Sequence, residues 1–425
     1  MGKGTGTGQE TARREGGPGD PGAGRTGGTG GTEGTGRTGG SGGTGRTGVW
    51  LIGARGSVAT TVVAGCAALV AGLHEPTGMV TESAAFADVP LPPLDSLVFG
   101  GHDITSCPLP KRAEQLAAGG VLPHGLPRSL QTELAAADAE IRPGGPQPGD
   151  TRDDEALVAA FATDLRTFRR THDLDRVVVI NVASTEAAPG TESAGGEGAG
   201  ERPSADRLPA SSRYALAALR AGCSYVNFTP STGLHHPVLR DMARCSGLPY
   251  AGRDGKTGQT LLRSVLAPMM AQRALTVRAW SGTNLLGGGD GAALADPAAA
   301  AAKNAGKAAV LRDTLGELPP GEVHIDNVPA LGDWKTAWDH IAVDGFLGSR
   351  VILQTIWQGC DSALAAPLVL DLARLVAAAH AAGLSGPLPE LGFFFKDPDG
   401  GPAALADQYT ALTTTFATRL REAHA

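Results

Sequence analysis

From Val49 onward, short β-branched runs alternate with longer stretches whose apolar residues recur at helical spacing. Val49 to Ile52 predicts the first strand, and Val58 to Leu73 the helix after it. Val177 to Asn181 reads as a buried strand, Arg213 to Ala221 as a helix and Tyr225 to Phe228 as another short strand. Alternation of this kind predicts an α/β architecture, a doubly wound parallel sheet covered by helices. The order changes at Thr260, with a helix to about Arg273, a strand-like run from Thr276 to Leu285, a polar turn and an Ala-rich helix from Pro297. Two further strand-like runs, Glu322 to Val328 and Arg350 to Trp357, predict the open sheet of a second domain. Ala363 to Ala382 is apolar on most faces, so it is expected to be buried between domains or at a subunit interface. A last helix, Ala403 to Glu422, is expected to return to the first domain.

Two stretches fall outside this pattern. Residues 1–47 are almost entirely Gly, Thr, Arg, Ser and Glu, too polar to offset the entropy of ordering, and are expected to form a disordered arm. Residues 187–211, rich in Gly, Glu, Ser and Pro, predict a long surface insert.

Composition changes the picture only by exclusion. The 425 residues exceed the size at which one core usually stops growing, so two domains are expected. Hydrophobic residues make up 41% of the chain and aromatics 4%, which predicts an aliphatic core. A net charge of -7 with no long basic run argues against nucleic acid and anionic membranes as partners, so any anion must be bound locally. Cys66, Cys107, Cys223, Cys245 and Cys360 form no C-x-x-C pair and read as small buried residues of a reducing, cytoplasmic protein. No signal-peptide-like start is present, and no segment is expected to approach the roughly 20 apolar residues of a membrane span.

Candidate chemistry begins at Gly53-Ala54-Arg55-Gly56-Ser57-Val58-Ala59, which follows the first strand and opens a helix. This is the setting of a dinucleotide fingerprint: glycine permits a tight turn and close approach, and free N–H groups at the helix start meet a pyrophosphate. A glycine turn without ligand would share the pattern. The fold expected here is of the Rossmann type. Glu75, beside Pro76, lies at about the usual spacing for the ribose-binding acid but in a turn, so Asp103 within Gly100 to Ile104 is the better candidate. A turn or cap aspartate is the alternative.

Lys303 and Lys307 stand four residues apart on one helix face with no acid three or four residues away. A solvated face would explain them, but Lys256, Lys335 and Lys396 also lie in short Gly- or Asp-containing turns beside apolar sequence. Such ammonium groups suit a phosphate and a developing oxyanion.

Asp254-Gly255-Lys256-Thr257-Gly258-Gln259-Thr260 resembles the D-x-K-[ST]-G-Q-T signature of myo-inositol-1-phosphate synthases. Asn284 to Gly291 is similar to that family's N-x-L-G-N-N-D-G, Lys303 and Lys307 to its paired lysines, and Gly332 to Lys335 to its G-D-S-K. Asp361-Ser362 resembles its D-S ahead of a long helix, Lys396 its C-terminal lysine, Ser184-Thr185-Glu186 its N-T-E, and Gly101 to Ile104 its G-W-D-I. The likeness runs from Val49 to Pro398 in family order.

The resemblance implies a Rossmann-type NAD-binding domain over 48–255, carrying the insert. A second, open-sheet catalytic and tetramerisation domain would cover 256–360, with 361–425 returning to the first. It implies NAD as cofactor, a sugar phosphate as substrate and a homotetramer, and leaves open whether a divalent or monovalent cation assists. The implied chemistry is an internal redox loop on glucose 6-phosphate. C5 is oxidised, the C6 enolate attacks the C1 aldehyde, and the ketone is reduced again. The catalytic set implied is Lys303, Lys307, Lys335 and Lys396 with Asp254, Lys256, Asp290 and Asp333. Lys303 would assist redox at C5, Lys307 and Lys396 would stabilise oxyanions during closure, and Lys335 would contact phosphate or the C1 oxygen. The cofactor set is Gly53, Ala54, Arg55, Gly56, Ser57, Val58 and Asp103, with Ser184, Thr185, Thr229, Asp254, Gly287, Asp290, Asp361 and Ser362.

Gly288 and Gly289 replace the family's two asparagines, Arg253 a family acid and Trp334 the serine beside the lysine. These departures leave room for another hexose phosphate, such as fructose 6-phosphate closing to a five-membered carbocycle. An NAD dehydrogenase of a phosphorylated polyol and a non-catalytic NAD-binding regulator are the competing classes.

Overall fold

A computed structural model describes residues 45–146, 150–186, 207–287, 311–312 and 314–424. The first strand, β1 (Thr47–Ile52), is buried along its whole length, and the chain joins the fold two residues before it, where Gly45 N–H donates to Asp175. The polar arm expected over 1–47 therefore stops short: Thr47 is fully buried in β1.

β1 leads into α1 (Ser57–Val70), whose small, apolar face of Ala59, Val62, Val63 and Ala64 lies against the sheet. Three short 3-10 turns then carry the chain to β2 (Leu97–Asp103). Helices α2 (Leu109–Ala118), α3 (Leu126–Ser129) and α4 (Gln131–Ala139) precede β3 (Ile141–Pro143). The other half runs α5 (Asp154–Thr171), β4 (Arg176–Asn181), α6 (Ala210–Arg220), β5 (Ser224–Asn227), α7 (Pro237–Cys245) and β6 (Pro249–Gly252). A two-residue strand, β11 (Gly386–Pro387), closes the edge, so the parallel sheet has the order β11-β6-β5-β4-β1-β2-β3. The order reverses between β1 and β4, and a crevice opens at their carboxyl ends, where ligands of doubly wound sheets bind. The expected Rossmann architecture is present. α6 begins at Ala210, so the insert predicted to reach 211 gives way to helix slightly earlier.

One aliphatic core fills the face under α1, α2 and α4, and a second fills the opposite face under α5, α6 and α7. α9 (Asp361–Ala381) runs through the first core against α1 and β4. Contrary to expectation, this 21-residue helix is apolar enough to match a membrane span by length and composition, yet its side chains are mostly buried inside the protein. The final segment packs on the same core through α10 (Leu405–Thr410), one π-helical turn and α11 (Ala417–Glu422).

The second sheet has the order β10-β9-β7-β8 and lies against α8 (Gln259–Gln272). Its strands are β7 (Thr276–Leu286), β8 (Val323–Asn327), β9 (Trp334–Asp344) and β10 (Arg350–Cys360). β9 pairs antiparallel with both β7 and β10, whereas β7 and β8 are parallel. The helix predicted from Pro297 falls almost wholly outside the described residues. Asp339 on β9 is the polar centre of this layer: it accepts from Gln259 Nε2 (2.7 Å), Arg263 Nη2 (2.9 Å) and Trp280 Nε1 (2.8 Å) while 2% exposed. Asn284 donates to Gln259 Oε1, so the glutamine of the T-G-Q-T stretch ties α8 to the sheet. All five cysteines are free, but Cys245 is exposed and Cys107 half-buried, which corrects the expectation that they are all core residues.

Candidate active site

The glycine loop takes the shape a dinucleotide requires. Gly53 has φ +82°, and a Cβ there would lie 2.7 Å from the Ala183 backbone, so only glycine lets β1 turn beside the end of β4. Gly101 on β2 is equally constrained, because its Cβ would come 2.2 Å from the Leu51 carbonyl oxygen. The N–H groups of Gly53 and Ala54 are spent on the His102 carbonyl. Those of Ser57, Val58 and Ala59 point out of the first turn of α1 without intrahelical acceptors, as at any helix start. Asp103 ends β2 and accepts from the N–H groups of Arg55 and Thr105, both at 2.7 Å, which fixes its carboxylate beside the loop. The preceding His102 is buried, which lowers its pKa and keeps it neutral. Trp50 donates to its Nδ1, so its ring proton sits on Nε2 and is donated to Asp164. Arg55 turns to Asp138 (2.9 Å) and the Thr105 carbonyl. Close-approach glycines, open amides and an acid at the end of the neighbouring strand fit NAD.

The crevice continues past β4, β5 and β6. Val58, Val182, Phe228 and Ala365 give it apolar walls, while Thr185, Thr229, Asp254 and the Thr257–Thr260 stretch give polar ones. Lys335 and Lys396 both line it. They arrive from distant parts of the chain. Lys396 is delivered by an antiparallel contact in which Gly255 bridges Phe395, Lys396 N–H donates to the Asp254 carbonyl, and Lys256 N–H donates to that of Phe394. Asp254 adopts φ +62°, tolerable for aspartate, and its Oδ1 accepts from Lys396 Nζ at 2.8 Å. Gly255 must be glycine, since a Cβ would meet the Phe228 ring at 2.3 Å. Lys335, second residue of β9, donates from Nζ to Asp361 Oδ2 at 2.9 Å. Asp361 is the first residue of α9, where a carboxylate is favoured by the helix dipole. Each cleft lysine is thus held by a carboxylate while largely screened from solvent, with 13% of the Lys335 and 18% of the Lys396 side chain exposed.

Other expected site residues lie nearby in varied roles. Asp333 accepts from Ser57 Oγ at 2.7 Å, bringing the second sheet against the start of α1. Trp334 points away from the crevice and donates from Nε1 to the Gly119 carbonyl at the end of α2. Gly287 packs so tightly on the turn at Gly332 that a Cβ would come 2.5 Å from its carbonyl. Thr229 is buried in a network with Asn181 and Asn227. Ser184 is exposed beside Thr185, and Ser362 is buried behind Asp361 with no hydrogen-bond partner for its hydroxyl among the described residues. Lys256 turns away from the crevice: its Nζ donates to Gln408 Oε1 at 2.7 Å, and burial, then the charge of Lys396, pulls its pKa down to about 8. Asp290, Lys303, Lys307, Gly288 and Gly289 lie outside the described residues. Arg112 on α2 escaped the sequence reading; its Nη2 donates to Ser57 Oγ at 2.6 Å. A lone arginine on a surface helix gives no sequence signal of its place in a site. Among the described residues no group of three His, Cys, Asp or Glu side chains could hold a metal ion.

Comparison with known proteins adds the family context. The sequence pattern of the family described as myo-inositol-1-phosphate synthase, an NAD-binding family, matches residues 47–416. The chain is 33% identical over 385 residues to inositol-3-phosphate synthase 1 of Bacteroides thetaiotaomicron, across 82% of this chain and 89% of that protein. It is 30% identical over 355 residues to inositol-3-phosphate synthase 1 of Bos taurus, but there the match covers 74% of this chain and 62% of the bovine one. Among solved structures, inositol-3-phosphate synthase of Caenorhabditis elegans matches with a TM-score of 0.73 at 22% identity, over 88% of this chain and 86% of that chain. At that identity the likeness speaks for the fold alone.

Proposed function

The chain belongs to the myo-inositol-1-phosphate synthase family, and from that premise we propose that it converts D-glucose 6-phosphate to 1D-myo-inositol 3-phosphate. It does so as an intramolecular lyase that uses NAD and regenerates it. The observation that carries this reading is the convergence of Lys335 and Lys396 on one crevice beside the dinucleotide loop, each paired with its own carboxylate.

NAD, once bound, supplies a hydride acceptor and donor for one sugar carbon, so the ring-closing chemistry falls to fixed positive charge. The start of α8 at Gln259, with Thr257 and Gly258 ahead of it, faces the crevice next to Lys335. An amide-rich helix start beside an ammonium suits the substrate phosphate. Lys396 then donates from Nζ to the oxygen that gains negative charge as the enolate forms, and Asp254 keeps that ammonium aimed. Val58, Val182, Phe228 and Ala365 keep water from the reacting carbons, which strengthens every charge in the crevice. On family resemblance, Lys303 is assigned to the redox step at C5 and Lys307 to the same oxyanions as Lys396.

The alternative substrate, fructose 6-phosphate, gains nothing from Trp334 or Arg253. Trp334 faces α2, and Arg253 pairs with Asp397 while donating to the Pro230 carbonyl. A homotetramer is supported by the apolar side chains that the second sheet exposes, among them Trp338, Val351 and Ile356. The free cysteines suit the cytoplasm. The test is to incubate the pure protein with NAD and either sugar phosphate and to identify the product by NMR. A six-membered cyclitol phosphate from glucose 6-phosphate, with no accumulation of NADH, supports the proposal. A five-membered product assigns the other substrate, and stoichiometric NADH identifies a dehydrogenase.

A further inference from the structure

Ser57, the first residue of α1, sits between two charged groups that come from different layers of the protein. Its hydroxyl donates to Asp333 Oδ1 at 2.7 Å and accepts from Arg112 Nη2 at 2.6 Å. Arg112 belongs to the parallel-sheet layer through α2, and Asp333 to the turn that opens β9 of the second sheet. Arg112 also donates from Nη1 to Gln115 Oε1 at 3.1 Å, but Asp333 Oδ2 stands 3.9 Å from Nη2, too far for a hydrogen bond. A guanidinium carries five N–H donors, so these two bonds leave it with capacity to spare, and 28% of its side chain reaches solvent. The neighbour of Asp333 in the chain, Trp334, donates to the Gly119 carbonyl at the far end of α2. The turn therefore bonds α2 directly at Gly119 and, near the other end, through the Ser57 hydroxyl, which holds the guanidinium over the start of α1.

A carboxylate at that place is costly for a cofactor whose two phosphates must lie by the same helix start. Unless a cation is shared between them, Asp333 and the pyrophosphate repel. We propose that Arg112 is a further cofactor-binding residue, which donates to the NAD pyrophosphate and neutralises Asp333 beside it. Asp333 is the positioning residue of the pair, fixing the guanidinium through the Ser57 hydroxyl. The next residue in the turn but one is Lys335, so a single short segment carries both the cofactor's counter-charge and a cleft lysine.

This inference rests on NAD binding and is independent of which sugar is cyclised. It is tested by calorimetric titration of the full chain with NAD, using wild type, Arg112→Met, Arg112→Lys, Asp333→Asn and the double variant Arg112→Met with Asp333→Asn. Loss of charge-assisted hydrogen bonds to phosphate predicts affinity weaker by about 10- to 100-fold for Arg112→Met. Arg112→Lys, which keeps the charge and loses the fork, falls between. The double variant recovers part of that loss, because it removes the carboxylate left uncompensated, an effect a purely structural role of Arg112 would not produce. Affinity of Arg112→Met within twofold of wild type, or a double variant no tighter than Arg112→Met, overturns the inference alone. A wild-type chain that fails to bind NAD overturns it together with the cofactor assignment.

Discussion

Replacing Lys256 by Met tests how the crevice wall is built. Lys256 is 5% exposed, its ammonium has the neutral Gln408 as acceptor, and its pKa is drawn from 10.5 to about 8, first by burial and then by Lys396. That depression corresponds to about 3 kcal/mol of cost to the charged, folded state. The sign follows from proton binding. Below the folded value both states carry the proton, and the folded protein bears the whole cost. Between about 8 and 10.5 the unfolded chain holds more protons than the folded one, so stability rises with pH. Methionine removes the charge in a chain of similar length but leaves Gln408 Oε1 without its donor, which costs about 1–3 kcal/mol. The variant should therefore match or modestly exceed wild type in stability near pH 7.5. Its position relative to wild type should worsen by about 2 kcal/mol on moving to near pH 10. Urea denaturation of both proteins at the two pH values measures this. A difference that is the same at both pH values would show that the buried ammonium does not titrate in this range and would refute the linkage of its burial to stability.

Lys335→Met removes the ammonium that Asp361 holds in the crevice, and steady-state assays should show kcat/KM lower by about 100- to 1,000-fold while calorimetry finds NAD affinity little changed. Asp339→Ala strips the buried carboxylate from Arg263, Gln259 and Trp280, and chemical denaturation should show a loss of about 3–5 kcal/mol; a loss below about 1 kcal/mol would contradict the reading of this network as buried and paired.

What the sequence revealed, and what it hid, follows from the range of the interactions. The glycine loop was legible because its requirements are local: a strand, a turn at positive φ and a helix start within a dozen residues. Asp103 could be chosen only by setting aside the usual spacing, since three 3-10 turns lengthen the path from α1 to β2. Lys335 and Lys396 stood out through their short Gly- or Asp-containing turns beside apolar sequence, and the family's motif order gave them a shared site. Their meeting depends on β9 pairing with β7 and on the bridge between Gly255 and Phe395, neither of which leaves a periodic trace. β9 itself escaped the pattern because Asp339 occupies an inward position, and the partners that make this tolerable lie on α8 and β7. Lys256 was expected among the reacting groups, but the left-handed turn at Asp254 and the bond to Gln408 take its side chain behind the crevice wall. Arg112 is visible only once α2 is placed against α1.

In the proposed cycle one crevice removes a hydride from the sugar, holds the resulting oxyanions on lysine ammonium groups and returns the same hydride. Glucose 6-phosphate carrying deuterium at C5, incubated with the pure protein and NAD, addresses it directly. The cyclitol phosphate formed is expected to retain the deuterium at the same carbon, with no build-up of free NADH. Product in which the deuterium has been lost to the bulk cofactor pool, or NADH formed in proportion to the sugar consumed, would contradict it.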